Sequence, residues 1–224
     1  MRGLQTVSVV DALTSSLRER VLDGAIDPGR GLTEQDLAGE YEVSRPTARS
    51  AITHLVADGL LRREAHKPAY VPVLSQADVR DLFLVRTPLE LEVVRVLAGT
   101  RSAPADAGKA VGDLAAIGPE RPHSAFVEAD LGFHRALVAA VGSARLSRVY
   151  QALSGEIHLS MVQSRHALGR ERIVAEHCGV LGAIEAGDAE RAMTLMRSHL
   201  DGACAALADK LAGMPSGAAE LIEP

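Results

Sequence analysis

Four residues in the second half of the chain carry side chains that bind metals: Asp130, His134, His177 and His199. Asp130 and His134 are one helical turn apart, so in a helix their side chains emerge side by side. Each falls on an apolar stripe of helical period. Phe126, Asp130, His134 and Leu137 share one stripe, Ile173, His177, Val180 and Ile184 a second, and Ala192, Met196, His199 and Ala203 a third. One inward histidine has an ordinary reading as a hydrogen-bonded core residue, and an i,i+4 Asp–His pair as a local ion pair. Three histidines and a carboxylate buried unpaired would cost on the order of several kcal/mol. One shared cation satisfies all four, and imidazole with carboxylate suits Zn, with Ni, Mn and Fe as alternatives. Spacing alone leaves both readings open, a satisfied polar core and a divalent metal site. Cys178 adjoins His177 but projects about 100° away around a helix, so it is not counted as a ligand.

Arg86 lies on another apolar stripe, with Leu82, Leu89 and Val93. There its guanidinium could fork the carboxylate of a small effector or pair with a glutamate of a neighbouring helix, and the former is favoured. His158 and Arg165, seven apart on one face of a long helix, are weaker effector contacts and could equally be solvated.

A different chemistry lies in the first half. Residues 1–74 are nearly neutral, yet 44–67 hold Arg45, Arg49, Arg62, Arg63 and Lys67 against only Asp58 and Glu64. Arg45 and Arg49 are four apart on one helical face. Guanidinium groups there can fork onto guanine O6 and N7 or clamp phosphate. Thr47 can touch a thymine methyl and Ser44 can bond a phosphate.

The elements that must position these groups are legible. Apolar period marks a first helix over Val9–Leu22, stopped by Gly24 and Asp27-Pro28-Gly29. A second starts at Thr33 with Asp36 in capping-box spacing and ends near Tyr41. After a short turn at Glu42-Val43, Ser44 caps a third helix with Pro46 in its first turn, which runs to about Asp58 and is stopped by Gly59. Arg62–Ala65, a turn at His66-Lys67-Pro68, and Tyr70–Val73 read as a short hairpin. Three helices and a two-stranded wing make a winged helix-turn-helix, with the third helix entering the major groove and Lys67 at the wing tip meeting the adjacent backbone. Ser75 with Asp78 opens a second domain. Helical patterns then run at about 76–99, 104–117, 122–141, 144–168, 171–186 and 189–212, with no sustained strand alternation. The fold class is therefore mainly α. The expected domains are 1–74, 75–213 and a flexible tail at 214–224.

Composition narrows the class. The 224 residues are 47% hydrophobic with three Phe, three Tyr and no Trp, which suits packed helices better than a β-sandwich. No apolar run reaches the roughly 18 residues of a membrane span, and the N-terminus lacks a signal-peptide pattern. Two cysteines, Cys178 and Cys204, offer no disulfide framework, so a cytoplasmic location is expected. A net charge of −5 argues against general coating of nucleic acid but not against site-specific binding.

The stretches Leu32-Thr33-Glu34-Gln35-Asp36-Leu37-Ala38, Val43-Ser44-Arg45-Pro46-Thr47-Ala48-Arg49 and Leu55-Val56-Ala57-Asp58-Gly59-Leu60-Leu61 resemble the DNA-binding domain of GntR-type bacterial regulators. The resemblance implies that Arg45 and Arg49 contact a palindromic operator and that the protein is a homodimer. Pro68 stands where such wings usually carry a glycine. Asp130 through Leu137, Glu176-His177, Ala183 through Asp188 and Ala192 through Leu200 resemble the FCD effector domain of the FadR subfamily, as do Arg86 and Leu89-Glu90. This implies that Asp130, His134, His177 and His199 ligate a metal whose open positions take a small carboxylate effector. Ser143 stands where relatives often have Asn. The function expected is a ligand-controlled regulator of transcription, a repressor or activator. A metalloenzyme is the competing reading, and against it no general base is evident beside the site.

Overall fold

A computed structural model describes residues 8–118, 120–121, 123–164 and 169–212. Their contacts divide the chain between Val73 and Leu74 into two units. The tail expected at 214–224 lies outside the described residues.

In the first unit, Ser8 caps α1 (Val9–Leu22), its Oγ accepting from the Asp11 N–H, and Leu13, Leu17 and Val21 turn inward. Thr33 caps α2 (Glu34–Glu40) through the Asp36 N–H. Ser44 caps α3 (Arg45–Ala57) through the Thr47 N–H at 3.2 Å, with Pro46 in the first turn, where no intrahelical donor is needed. Ala48, Ala51, Ile52 and Leu55 form the buried stripe of α3, and the opposite face carries its arginines into solvent. Gly59, at φ 75°, ends this run in the left-handed region that a side chain rarely enters.

The wing is richer than a hairpin. β1 (Gly31–Leu32), β2 (Arg62–Arg63) and β3 (Ala69–Tyr70) form an antiparallel sheet in the order β1-β3-β2. Gly31 stands opposite Tyr70 on one side of β3, and Arg62 opposite the same residue on the other. The paired segments are shorter than expected: in this register Glu64 falls opposite Pro68, and prolines at 68 and 72 have no N–H to extend the ladder. At the turn, His66 takes the positive φ of 64°. The left-handed position that a glycine would serve at a wing tip is thus filled one side of Lys67, while Pro68 follows on the other.

Among the described residues the second unit forms helices and their connections, with no strand. The Ser75–Asp78 capping box is complete at the head of α4 (Gln76–Thr100). Then follow α5 (Ala105–Ala116), α6 (His123–Ala140), α7 (Ala144–Ser164), α8 (Arg170–Ala186) and α9 (Ala189–Leu211). α4 packs chiefly on α9, α5 on α6, and α8 on α9. Three helices thereby converge from different parts of the chain: α6, α8 and α9 turn Phe133, Val180, Ile184, Met196 and Leu200 into one core with almost no exposed surface. No helix among the described residues is long and apolar enough to cross a membrane.

Candidate functional site

The apolar core of the helical unit has a polar centre. α6 supplies Asp130 and His134, α8 supplies His177 and α9 supplies His199, all buried. One ligand atom from each of the four lies within 4.8 Å of the others. His134 Nε2 is 3.3 Å from His199 Nε2, His199 Nε2 is 3.4 Å from His177 Nε2, and His177 Nε2 is 3.5 Å from Asp130 Oδ1.

Two carboxylates behind the imidazoles fix which nitrogen faces inward. His134 Nδ1 lies 2.5 Å from Glu90 Oε2, and His199 Nδ1 lies 2.8 Å from Glu176 Oε2. A carboxylate accepts, so both Nδ1 atoms donate and both Nε2 atoms present lone pairs to one another. Facing lone pairs at 3.3 Å repel unless a positive centre lies between them. Around a cation with ligand bonds of about 2.1 Å, adjacent ligands stand about 3.0–3.4 Å apart, close to the spacing of His199 from each of the other two histidines. Asp130 Oδ1 is buried without a hydrogen-bond partner. The donor set fits a divalent cation.

Ligation needs neutral imidazole, and the surroundings of His134 and His177 favour that form. Burial is the main force lowering the pKa of His177, and the positive charge of the buried Arg86 adds to it. Burial also lowers that of His134, with Glu90 opposing. Glu176 is held down at about 2, first by its bond from His199 and, against the opposing pull of burial, by Arg172, whose Nε donates to Oε1 at 2.6 Å.

Glu90 is a further buried junction. Burial would raise its carboxyl, but the charge of Arg86 and the hydrogen bonds from Arg86 and His134 together outweigh burial and hold it below the usual carboxylate range. Arg86 Nε donates to Oε1 at 2.5 Å and the Tyr150 hydroxyl donates to the same oxygen at 3.1 Å. Arg86 thus has a salt-bridge partner on its own helix, one turn on, rather than on a neighbouring one. Its Nη2 is buried with no hydrogen-bond partner. Arg86, Asp130 and His199 line an enclosed cavity of about 10 Å³ with Phe126, Met161 and Ile173. That is room for roughly one water.

His158 is buried on α7 but is not among the residues lining this cavity. Arg165 lies outside the described residues. Cys178 is exposed while its neighbour His177 is buried. Sequence reasoning placed Glu90 and Glu176 only inside motifs and assigned neither a role. The Arg86–Glu90 spacing on an inward stripe was the available signal for the first. Glu176 reaches across to another helix, which local spacing does not encode.

On the first unit, Ser44, Arg45 and Arg49 are exposed and Thr47 is half-buried at the start of α3. Ser44 Oγ is engaged by the Thr47 N–H and lies 2.8 Å from the Thr47 hydroxyl. The first turn of α2 meets both arginines: Gln35 Oε1 accepts from Arg45 Nη2 at 3.2 Å, and the Glu34 carboxylate accepts from Arg49 Nε and Nη2 at 2.9–3.0 Å. Lys67, at the wing tip, pairs with Glu64 at 2.7 Å.

A winged helix-turn-helix with an exposed arginine face, followed by a helical bundle with a buried polar centre, is the architecture of a ligand-responsive class of transcriptional regulators. Residues 10–71 match the family of bacterial regulatory proteins, gntR family, and residues 81–202 match the FCD domain. The chain belongs to the GntR family of transcriptional regulators and carries an FCD domain. It is 30% identical over 206 residues to the HTH-type transcriptional regulator BphR of Paraburkholderia xenovorans, covering 87% of this chain and 83% of that one. It is 23% identical over 187 residues to the HTH-type transcriptional repressor RspR of Escherichia coli K12, covering 82% of each. Among solved structures, a GntR transcriptional regulator from Rhodococcus sp. RHA1 shares the fold at a TM-score of 0.76 and 23% identity, over 88% of this chain and 96% of that one.

Proposed function

We propose that this regulator is a homodimer whose affinity for a palindromic operator is set by a divalent metal and a small carboxylate effector in the helical unit. The observation that carries this reading is the pairing of an unsatisfied Asp130 oxygen with an unsatisfied Arg86 Nη2 on the wall of one cavity. Asp130, His134, His177 and His199 would hold the cation. Zn is the first choice and Ni, Mn and Fe the alternatives. The bound ion supplies positive charge and coordination positions for a carboxylate. Arg86 Nη2 donates to that carboxylate, while Glu90 keeps the guanidinium oriented and the Nδ1 proton of His134 in place. Glu176 does the same for His199.

The cavity takes about one water, so an effector of several heavy atoms requires the helices around it, α4, α6, α7, α8 and α9, to part. A carboxylate that binds only the parted bundle shifts the population toward it, by no more than its preference for that state. The DNA-binding units of the dimer then present their α3 helices at a different spacing, and affinity for two half-sites changes. In DNA, Arg45 and Arg49 contact base edges or phosphates, Thr47 a base methyl, and Ser44 and Lys67 the backbone. Repression is the sign of control we adopt, in line with the E. coli relative.

The test is a thermal-shift screen of a carboxylic-acid library on metal-loaded and chelator-stripped protein. Stabilisation by a subset of acids that vanishes on stripping supports the proposal. Stabilisation that survives stripping, or none from any acid, overturns the metal-dependent effector site.

A further inference from the structure

We infer that Glu34 is a positioning residue for sequence readout, a carboxylate that pre-sets Arg49 to address guanine end-on and ties the wing to the same group. The inference rests on the reading that Arg49 contacts the operator.

Its basis is the way the guanidinium is used. Glu34, the first residue of α2, takes Arg49 side-on: Nε donates to both carboxylate oxygens at 3.0 Å and Nη2 to one at 2.9 Å. A guanidinium has two edges that can fork onto a pair of acceptors, one through Nε and Nη2 and one through both Nη atoms. With the first edge on the carboxylate, the second is turned outward in the plane that guanine O6 and N7 require. The side chain of Arg49 is 67% exposed whereas that of Glu34 is 22% exposed, so the carboxylate sits beneath and the arginine above. Arg63 on β2 donates its Nη2 to Glu34 Oε1 at 3.2 Å. One carboxylate thereby joins α2, α3 and the wing strand.

An acidic group on a surface that meets phosphates repels the backbone unless it is neutralised. Here two arginines neutralise it, and the cluster keeps one net positive charge. A single exposed ion pair does little, but a bidentate pair within a network holds geometry. Holding a long side chain in its bound rotamer removes an ordering cost from binding. Removing the carboxylate therefore has two opposite effects. Arg49 and Arg63 become free to clamp any phosphate, and the base preference they enforced is lost.

The experiment uses the full-length protein. Wild type, Glu34→Gln, Glu34→Asp and Arg49→Lys each select duplexes from a random-sequence library. Affinities are then measured for the duplex enriched by wild type and for poly(dI-dC), across a salt series. Glu34→Gln should flatten the base position that Arg49→Lys also flattens, since lysine keeps the charge but loses the fork. The ratio of specific to non-specific affinity should fall about tenfold. Binding to poly(dI-dC) should tighten, its log–log salt slope steepening by about 1. Glu34→Asp, which keeps the charge on a shorter arm, should fall between, and it carries the test alone if Glu34→Gln does not fold. An unchanged motif and ratio in the Glu34 variants, while Arg49→Lys alters them, overturns the positioning role and leaves the Arg49 contact standing. Equal tightening on both probes reduces Glu34 to a simple repulsive charge and also overturns it. An unaltered motif in Arg49→Lys overturns the contact itself and the inference with it.

Discussion

The two units handle charge in opposite ways. On α3, arginines stand in solvent and are steadied by Glu34 and Gln35 from α2. In the bundle, Asp130 and three histidines lie at 0–4% exposure with Glu90 behind them. Exposed groups cost nothing to keep charged, lose strength with salt and await a polyanion from outside. Buried groups cannot stay uncompensated, so their positions are dictated by what compensates them. The lesson is that the surface site can be edited one residue at a time, whereas the buried one behaves as a unit. Glu90 alone serves Arg86, Tyr150 and His134.

The contrast can be broken experimentally. His177→Ala should reduce bound metal in elemental analysis to background, and full stoichiometry in this variant would remove it from the centre. Glu90→Ala should destabilise the fold by about 3–5 kcal/mol in denaturant titration, because Arg86 is left buried and unpaired. A cost below 1 kcal/mol would mean that the buried charges are not coupled as described. Arg49→Ala should lower affinity for the selected duplex by about 1–3 kcal/mol with dimerisation and melting temperature unchanged. A comparable fall in stability would blur the distinction between the units. Lys67→Ala, the smallest effect, should weaken binding evenly across sequences and reduce the salt slope by about 1. A change in base preference there would make the wing a reader rather than a clamp.

How much of this was legible follows from the same contrast. Helix ends were legible because caps are local: Ser44, Ser75 and Gly59 each act within a few residues of themselves. The Asp130–His134 pair was legible because helical period places i and i+4 together. β1 was not, because Gly31 and Leu32 are too short a run to show alternation, and only the pairing with β3 makes them a strand. The partners of His134 and His199 were not legible either. Glu90 is 44 residues from His134, and Glu176 is 23 from His199, so only the packing of helices joins them. Arg86 was legible as inward, and its i,i+4 spacing to Glu90 was the one local signal for the acceptor it meets.

The enclosed cavity beside Arg86, with room for about one water, has a kinetic consequence. A carboxylate larger than that cannot enter by diffusion alone, so capture waits on a transient parting of the helices. The observed rate of effector capture in stopped flow should rise with concentration and then level off at the opening frequency of the bundle. Once effector is abundant enough to reach that plateau, the regulator's response time would be a property of its own breathing, indifferent to any further rise in effector.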